Sequence, residues 1–151
     1  MTRHIVLDSS PLGLLSHPVR SAEVKAIAQW SRLCLAARHR IYIPEVIDYE
    51  LRRELLRAGK TGGLAELDDL KTRFDYLPIT TAAMLRAAEL WAQSRNSGLA
   101  TGDPKKLDID VILAAQALTL AVPAADLLVA TANVSHISRF VAADLWTNVT
   151  P

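Results

Sequence analysis

The chain has 151 residues, of which 50% are hydrophobic, and its 17 basic and 16 acidic residues give a formal net charge of +1. This length suits one domain spanning 1–151, and the apolar content is sufficient for a core, which argues against extensive disorder. The balanced charge predicts no strong field over the whole surface, so contact with nucleic acid would depend on a local basic patch.

The same sequence indicates where the protein resides. The N-terminal residues carry no signal-peptide pattern, and no segment reaches the roughly 18 consecutive apolar residues of a membrane span. The single cysteine, Cys34, cannot form a disulfide within the chain and lies in an apolar, helical stretch. We therefore expect a buried thiol in a cytoplasmic protein that does not contact a membrane.

Hydrophobic periodicity predicts helices and strands that alternate along the chain. In chain order the predicted elements are strand 4–7, helix 21–38, strand 40–43, helix 45–58, helix 64–72, strand 74–79, helix 80–97, helix 107–121, strand 127–130, helix 135–140 and strand 145–149. Segments rich in turn-forming residues predict loops at 8–11, 60–63 and 96–106.

This alternation predicts an α/β fold, namely a three-layer sandwich with a central, mostly parallel sheet flanked by helices. In open parallel sheets, functional sites form at the carboxyl ends of the strands. That rule places Asp8, Pro44 and the segment 131–133 along one edge of the predicted sheet. We expect any active site to lie there.

Two acidic residues on different elements are candidates for that site. Asp8 directly follows a buried strand, although an Asp at this position is also a common turn or cap residue. Glu50 falls between Val46 and Ile47 on the helical wheel, on the side that faces the protein. A carboxylate there is costly unless it is paired or bound to a metal, and an ion pair with Arg53 is the alternative explanation.

A third acidic residue, Asp110, opens the apolar helix at 107–121. An Asp at the start of a helix is an ordinary cap that complements the helix dipole. Asp108 and Asp103 lie close by in the sequence, and only one of the three can be the cap. At least one therefore remains for another role.

Three acids on separate elements would repel one another in a shared pocket unless a cation neutralised them. Oxygen-only ligands select hard ions, so Mg²⁺ or Mn²⁺ is expected at Asp8, Glu50 and Asp110, with Asp108 as a possible fourth ligand. Such an ion holds a phosphate oxygen and lowers the pKa of a bound water. The cluster therefore predicts metal-assisted hydrolysis of a phosphodiester bond.

Four segments carry a resemblance to a known family. They are IVLDSSPLGLL, IPEVIDYELRREL, LDIDVILAAQAL and VATANVSHISRF, in this order along most of the chain. The sequence resembles the PIN-domain nucleases, which include the toxin ribonucleases of bacterial toxin–antitoxin pairs. The resemblance implies a PIN-like parallel sheet flanked by helices, and a ribonuclease that depends on Mg²⁺ or Mn²⁺.

The resemblance also implies roles for particular residues. The first acid of the family falls on Asp8, its helix-borne glutamate on Glu50 and its third acid on Asp110. A hydroxyl residue commonly follows the first acid, and Ser9 and Ser10 stand in those positions. These residues are therefore the expected catalytic and supporting set.

One position departs from the pattern of the family. A fourth acid often follows the last of these strands, but this chain has Asn133 there. Asn can ligate through its carbonyl oxygen, but it carries no charge. A second metal would then be held more weakly unless Asp108 or Asp103 contributes. His136, at a position where the family often has a histidine, is more simply a helix-start or packing residue.

Partners follow mainly from the resemblance, which implies an RNA substrate, a homodimer and a small antitoxin protein that inhibits the enzyme. Three arginines near Glu50 would suit an RNA backbone, although a solvated helix face explains them equally well. They are Arg52, Arg53 and Arg57. Several large apolar residues would serve protein contacts if exposed, but we interpret them as core. They are Trp30, Leu33, Leu35 and Trp91.

Two other functions compete with a metal-dependent endoribonuclease. The first is a catalytically weak or inactive PIN module that binds RNA or a protein partner, and Asn133 favours it. The second is a phosphatase or phosphotransferase with Asp8 as a covalent nucleophile. The D-x-D pattern typical of such enzymes is not present, because Ser9 and Ser10 follow Asp8.

Overall fold

The computed structural model of the chain describes residues 1–98 and 104–151. Its central layer is a sheet with strands β1 (His4–Leu7), β2 (Arg40–Pro44), β3 (Asp75–Leu77), β4 (Leu127–Ala130) and β5 (Ala143–Asp144). The strand order is β3-β2-β1-β4-β5, and all four neighbouring pairs are parallel. The predicted α/β sandwich with a parallel sheet is confirmed.

Helices connect the strands and cover the sheet. Within the described ranges they are α1 (Ser9–Leu15), α2 (Ala22–Ala36), α3 (Glu45–Arg57), α4 (Thr61–Arg73), α5 (Thr81–Asn96), α6 (Pro104–Leu118) and α7 (Val134–Ile137). Single 3₁₀ turns follow at Ala124–Asp126 and Trp146–Asn148. None of the helices in the described part of the chain is both long enough and apolar enough to cross a membrane.

The register of the sheet aligns the residues that follow β1 and β4. Leu7 pairs with Ala130 at the carboxyl end of the two strands, and the main-chain N–H of Asp8 donates to the carbonyl of Ala130 over 3.0 Å. Ile5, Val6 and Leu7 of β1 are fully buried, as expected for a central strand covered on both faces. Burial of this kind stabilises the fold by about 1.5–3 kcal/mol per large apolar side chain.

Local capping explains where several helices begin and end. The hydroxyl of Ser21 accepts from the N–H of Val24 at the start of α2, and the hydroxyl of Thr80 accepts from that of Ala83 at the start of α5. Helix α3 is followed by Gly59, whose φ of +66° is a left-handed conformation that glycine adopts without strain. These boundaries agree with the predicted ones to within about two residues.

Three predicted loops or strands were wrong. Residues 8–11 were expected to form a turn, but Ser9 begins α1, and Asp8 caps it. Helix α4 begins at Thr61 rather than after the two glycines. The last strand was expected at 145–149 but lies at Ala143–Asp144, because Asp144 Oδ1 accepts from the N–H of Leu145 and the side-chain amide of Asn148 and so starts a 3₁₀ turn.

The predicted loop at 96–106 is only partly described. Its central residues, 99–103, lie outside the described residues, and with them Asp103. Helix α6 begins at Pro104, three residues before the predicted start. This earlier start places one more turn of helix ahead of Asp110.

The predicted burial of Cys34 is confirmed, since its side chain is fully inaccessible and burial raises the pKa of the thiol to about 11. Trp30 is also buried, and its indole N–H donates to the carbonyl of Val149 over 2.8 Å. The prediction that Leu33, Leu35 and Trp91 lie in the core was wrong. Leu33 and Leu35 are exposed on α2, and Trp91 is exposed on α5 beside α6.

Candidate metal centre at the carboxyl edge of the sheet

Asp8 is held at the end of β1 by two hydrogen bonds. Its Oδ1 accepts from the main-chain N–H of Ser9 and its Oδ2 from the hydroxyl of Thr131, both over 2.7 Å. The side chain is 3% exposed. The capping role that the sequence suggested as an alternative is therefore present, and it fixes the carboxylate in one orientation.

Thr131 connects this edge of the sheet with the position of the missing fourth acid. It is buried just beyond β4, donates to Asp8 and accepts from the main-chain N–H of Asn133 over 2.9 Å. Sequence analysis did not identify this role. This role follows from the position of β1 beside β4 in the sheet, which places the residues after the two strands side by side.

We expect Thr131→Val to lower the free energy of unfolding by about 1–3 kcal/mol, because a buried carboxylate oxygen of Asp8 and the partly buried N–H of Asn133 each lose a partner. Thr119→Val is the matched control, since Thr119 lies exposed just after α6 and its hydroxyl donates to the nearby carbonyl of Gln116. Urea unfolding followed by circular dichroism measures the difference. Equal losses in the two variants would contradict a special role for Thr131.

Glu50 and Asp110 approach the site from two helices. Glu50, on α3, has a side chain that is 16% exposed, and that of Asp110, on α6, is 2% exposed. The ammonium of Lys106 lies 3.6 Å from Glu50 Oε2 and 3.7 Å from Asp110 Oδ1. Glu50 therefore pairs with a lysine on α6. The sequence had suggested Arg53 as the alternative partner.

Two oxygens of this cluster are buried and lack a hydrogen-bond donor among the residues described. They are Glu50 Oε1 and Asp110 Oδ1, here called the open carboxylate oxygens. A buried acceptor without a donor is destabilising, and an ionised one more so. A cation bound to the open carboxylate oxygens would remove this destabilisation.

The charges in the cluster act on both Asp110 and Lys106. Burial raises the pKa of Asp110, Lys106 opposes this, and the carboxylates of Asp8 and Glu50 raise the pKa further. Burial lowers the pKa of Lys106, but the carboxylates of Glu50, Asp110 and Asp8 raise it by more, so it lies above its ordinary value. Asp8, Glu50 and Asp110 thus lie within one electrostatic neighbourhood centred on Lys106.

Asp108 does not join this neighbourhood. It is exposed and lines a separate cavity between α5 and α6, beside Trp91 and Val111. Residues two positions apart on a helix point about 200° away from each other, so Asp108 and Asp110 face opposite sides of α6. The expected contribution of Asp108 to a metal site is not supported by this placement.

The predicted supporting residues contribute through their main chains. Ser9 supplies the N–H that binds Asp8, and Asn133 supplies the N–H that binds Thr131. Ser10 is exposed and lines a groove beside α1. The roles proposed for the hydroxyls of Ser9 and Ser10 and for the amide of Asn133 stay predictions.

The three arginines of α3 have different surroundings. Arg52 forms ion pairs with Asp48 and with Asp68 on α4, and it thereby joins two helices. Arg57 pairs with Glu54. Arg53 is exposed and lies over the ring of Tyr49 at 5.0 Å. Arg52 is therefore engaged in packing, while contact of Arg53 and Arg57 with RNA stays a prediction.

The donor set can be compared with what a divalent cation requires. Within 1–98 and 104–151, no three acid, histidine or cysteine side chains are grouped closely enough to hold a metal as they stand. However, Asp8, Glu50 and Asp110 supply only oxygen ligands, and the open carboxylate oxygens have no hydrogen-bond donor among the described residues. This chemistry fits Mg²⁺ or Mn²⁺.

Fold and site together define a parallel α/β protein with a buried carboxylate cluster at the carboxyl edge of its sheet. The chain belongs to the PIN-domain family, because the family model for the PIN domain matches residues 5–143. The resemblance seen in the four sequence segments is confirmed by this match.

Solved structures with the same fold come from several bacteria. VapBC2 from Rickettsia felis, bound to a DNA fragment from its promoter, is 16% identical with a TM-score of 0.69, over 95% of this chain and 98% of the other. FitAcB from Neisseria gonorrhoeae is 18% identical with a TM-score of 0.69, over 96% and 99%. VapBC-1 from nontypeable Haemophilus influenzae is 15% identical with a TM-score of 0.65, over 96% and 99%.

At these identities the similarity establishes the fold. No curated protein sequence matches the chain.

Proposed function

We propose that this PIN-domain protein is an endoribonuclease that requires Mg²⁺ or Mn²⁺ and hydrolyses RNA phosphodiester bonds at Asp8, Glu50 and Asp110. The observation that carries the proposal is the pair of open carboxylate oxygens on two different helices, buried beside a third carboxylate. A buried cluster of like charges is costly to keep unless a cation completes it. Membership of the PIN-domain family supports the assignment to nucleic-acid hydrolysis.

The residues of the site would have two roles, cation binding and orientation of a ligand. Asp8, Glu50 and Asp110 would hold the cation, and the bound ion would polarise a phosphate oxygen and lower the pKa of the attacking water. Ser9 and Thr131 keep both oxygens of Asp8 in a fixed direction. Such preorganisation reduces the rearrangement needed when the ion and the substrate arrive.

The proposal extends to the biological setting. The solved structures of the same fold include VapBC and FitAcB, and a VapBC from Salmonella typhimurium is bound to DNA. On this likeness and on the sequence resemblance, we assign the chain to the toxins of toxin–antitoxin pairs. An antitoxin protein and a second copy of the chain would be its partners, and RNA its substrate.

The experiment is RNA cleavage by wild type and by Glu50→Gln, on a mixed pool of structured and single-stranded RNAs, with Mn²⁺ or with EDTA. We expect cleavage with Mn²⁺ only, and a rate at least ~100-fold lower in the variant, because it loses a charged ligand for the ion. Glu54→Gln is the matched control. Glu54 lies one turn further along α3, is exposed and pairs with Arg57, so its variant should cleave like wild type.

Each other outcome has a definite meaning. Cleavage that continues in EDTA, or that Glu50→Gln retains, would overturn the proposed site and indicate a contaminating nuclease or other chemistry. If wild type with Mn²⁺ leaves every RNA in the pool intact, the function is instead that of a PIN module that binds RNA or a protein partner.

A further inference from the structure

Lys106 was not expected in the site, yet its ammonium contacts two of the three carboxylates. It lies one helical turn before Asp110 on α6 and faces Glu50 on α3. Its side chain is 38% exposed, whereas that of Asp110 is 2% exposed. The lysine therefore lies between the buried cluster and the surface.

The ammonium compensates the cluster only in part. Asp8, Glu50 and Asp110 carry three negative charges when ionised, against one positive charge on Lys106, and His136 is a further positive group that acts on Asp110. The distances of 3.6 and 3.7 Å are those of ion pairs rather than of short charge-assisted hydrogen bonds. The open carboxylate oxygens persist beside the ammonium, so a cation with higher charge and shorter contacts would satisfy the cluster better.

We propose that Lys106 is a built-in counter-ion that occupies the cation position in the metal-free protein and has to leave it when a divalent metal binds. This inference rests on the proposed function, because it concerns the same site. The ammonium and the metal compete for Glu50 and Asp110. Lys106 thereby lowers the affinity for the metal, and it turns toward solvent once the metal is bound.

The competition has a measurable consequence in a variant that lacks the charge. We expect Lys106→Met to bind Mn²⁺ on the order of tenfold more tightly than wild type, a typical coupling between two ligands that exclude each other. Isothermal titration calorimetry on the chelator-treated protein measures the affinity. Lys25→Met, which removes an exposed lysine on α2, controls for the change in net charge and should bind Mn²⁺ like wild type.

A second measurement needs no variant, and it applies if Lys106→Met does not fold without metal. Wild type is treated briefly with an acylating reagent in Mn²⁺ or in EDTA, and mass spectrometry compares acylation at Lys106 with that at Lys25. Displacement by the metal frees the ammonium from its carboxylates. Mn²⁺ should therefore increase the acylation of Lys106 severalfold and leave that of Lys25 unchanged.

The outcomes separate this inference from the function it rests on. If wild type binds Mn²⁺ and Asp110→Asn does not, the metal site stands. Equal or weaker Mn²⁺ binding by Lys106→Met, or acylation of Lys106 that Mn²⁺ does not increase, then overturns the role of Lys106 alone. If no protein binds Mn²⁺, the metal-dependent function fails, and the counter-ion role fails with it.

Discussion

Asp110→Asn should lower metal-dependent RNA cleavage on the order of a thousandfold and, without metal, should make the protein more stable. The loss of activity follows because the most buried ligand loses its charge, and metal stabilisation of a phosphoryl transition state is worth several kcal/mol. The gain in stability follows because an amide of the same shape does not carry the cost of burying a charge that Lys106 compensates only in part. The two effects have one cause and opposite signs.

The pH dependence of stability gives an independent check on the sign of the stability change in Asp110→Asn. The pKa of Asp110 in the folded protein lies above its ordinary value of 3.8, chiefly because of burial. A raised pKa means that the stabilising contribution of the protonated carboxyl is fully present below about pH 3.8 and is lost as the pH rises through the folded value. In EDTA, the advantage of Asp110→Asn should therefore be absent in acid and present at pH 7.

Thermal unfolding in EDTA and in Mn²⁺, combined with the cleavage assay, measures both effects. Wild type should melt at a higher temperature with Mn²⁺ than with EDTA, whereas Asp110→Asn should melt at the same temperature in both. Asp108→Asn is the matched control, because Asp108 is exposed on the opposite side of α6. A variant at position 110 that is less stable than wild type in EDTA would contradict this account of the cluster.

Strands β1 and β4 were predictable because residues 5–7 and 127–130 are continuous apolar runs. The predicted strands 4–7 and 127–130 agree with β1 and β4 at both ends. Strands that are covered by helices on both faces need apolar residues at every position, and the polar residues that follow them end the run. For β1 and β4, the local sequence pattern and the burial in the folded protein therefore both favour a strand.

Helices whose first residues are poor helix formers were predicted too short or were missed. The third residue of α1 is Pro11, which is tolerated because the N–H groups of a first turn have no partner within the helix. In α4, Gly63 lies so close to α3 that a Cβ atom there would be 2.9 Å from Leu55 Cδ2. Packing of the two helices therefore decides against local propensity at this position.

The acids of the candidate site could be named from the sequence, but their partners could not. Lys106 fell in a predicted loop because the start of α6 was placed at 107. Proline is favoured at the first position of a helix, so Pro104 could have indicated the earlier start. The bond from Thr131 to Asp8 depends on the register between β1 and β4, across 123 positions of sequence. No local pattern contains that information.

Gln116→Leu should lower the free energy of unfolding by about 2–4 kcal/mol, although it replaces a polar core residue with an apolar one. Gln116 is 1% exposed; its Oε1 accepts from the N–H of Val46 over 3.2 Å, and its Nε2 donates to the carbonyl of Leu77 over 2.7 Å. Leucine has a similar volume but cannot form either bond. The buried N–H of Val46 and the partly buried carbonyl of Leu77 then lose their partners.

The position of these two groups explains why the loss should be large. Val46 lies in the first turn of α3, where helix N–H groups have no partner within the helix, and Leu77 ends β3. Gln116 thus joins α6, which carries Asp110, to the start of the helix that carries Glu50. Guanidinium unfolding in EDTA, with Gln93→Leu on the exposed face of α5 as control, measures the cost. A loss no larger than that of the control would mean that water or a shift of α6 replaces both bonds, so that the side chain would not fix the spacing of the two helices.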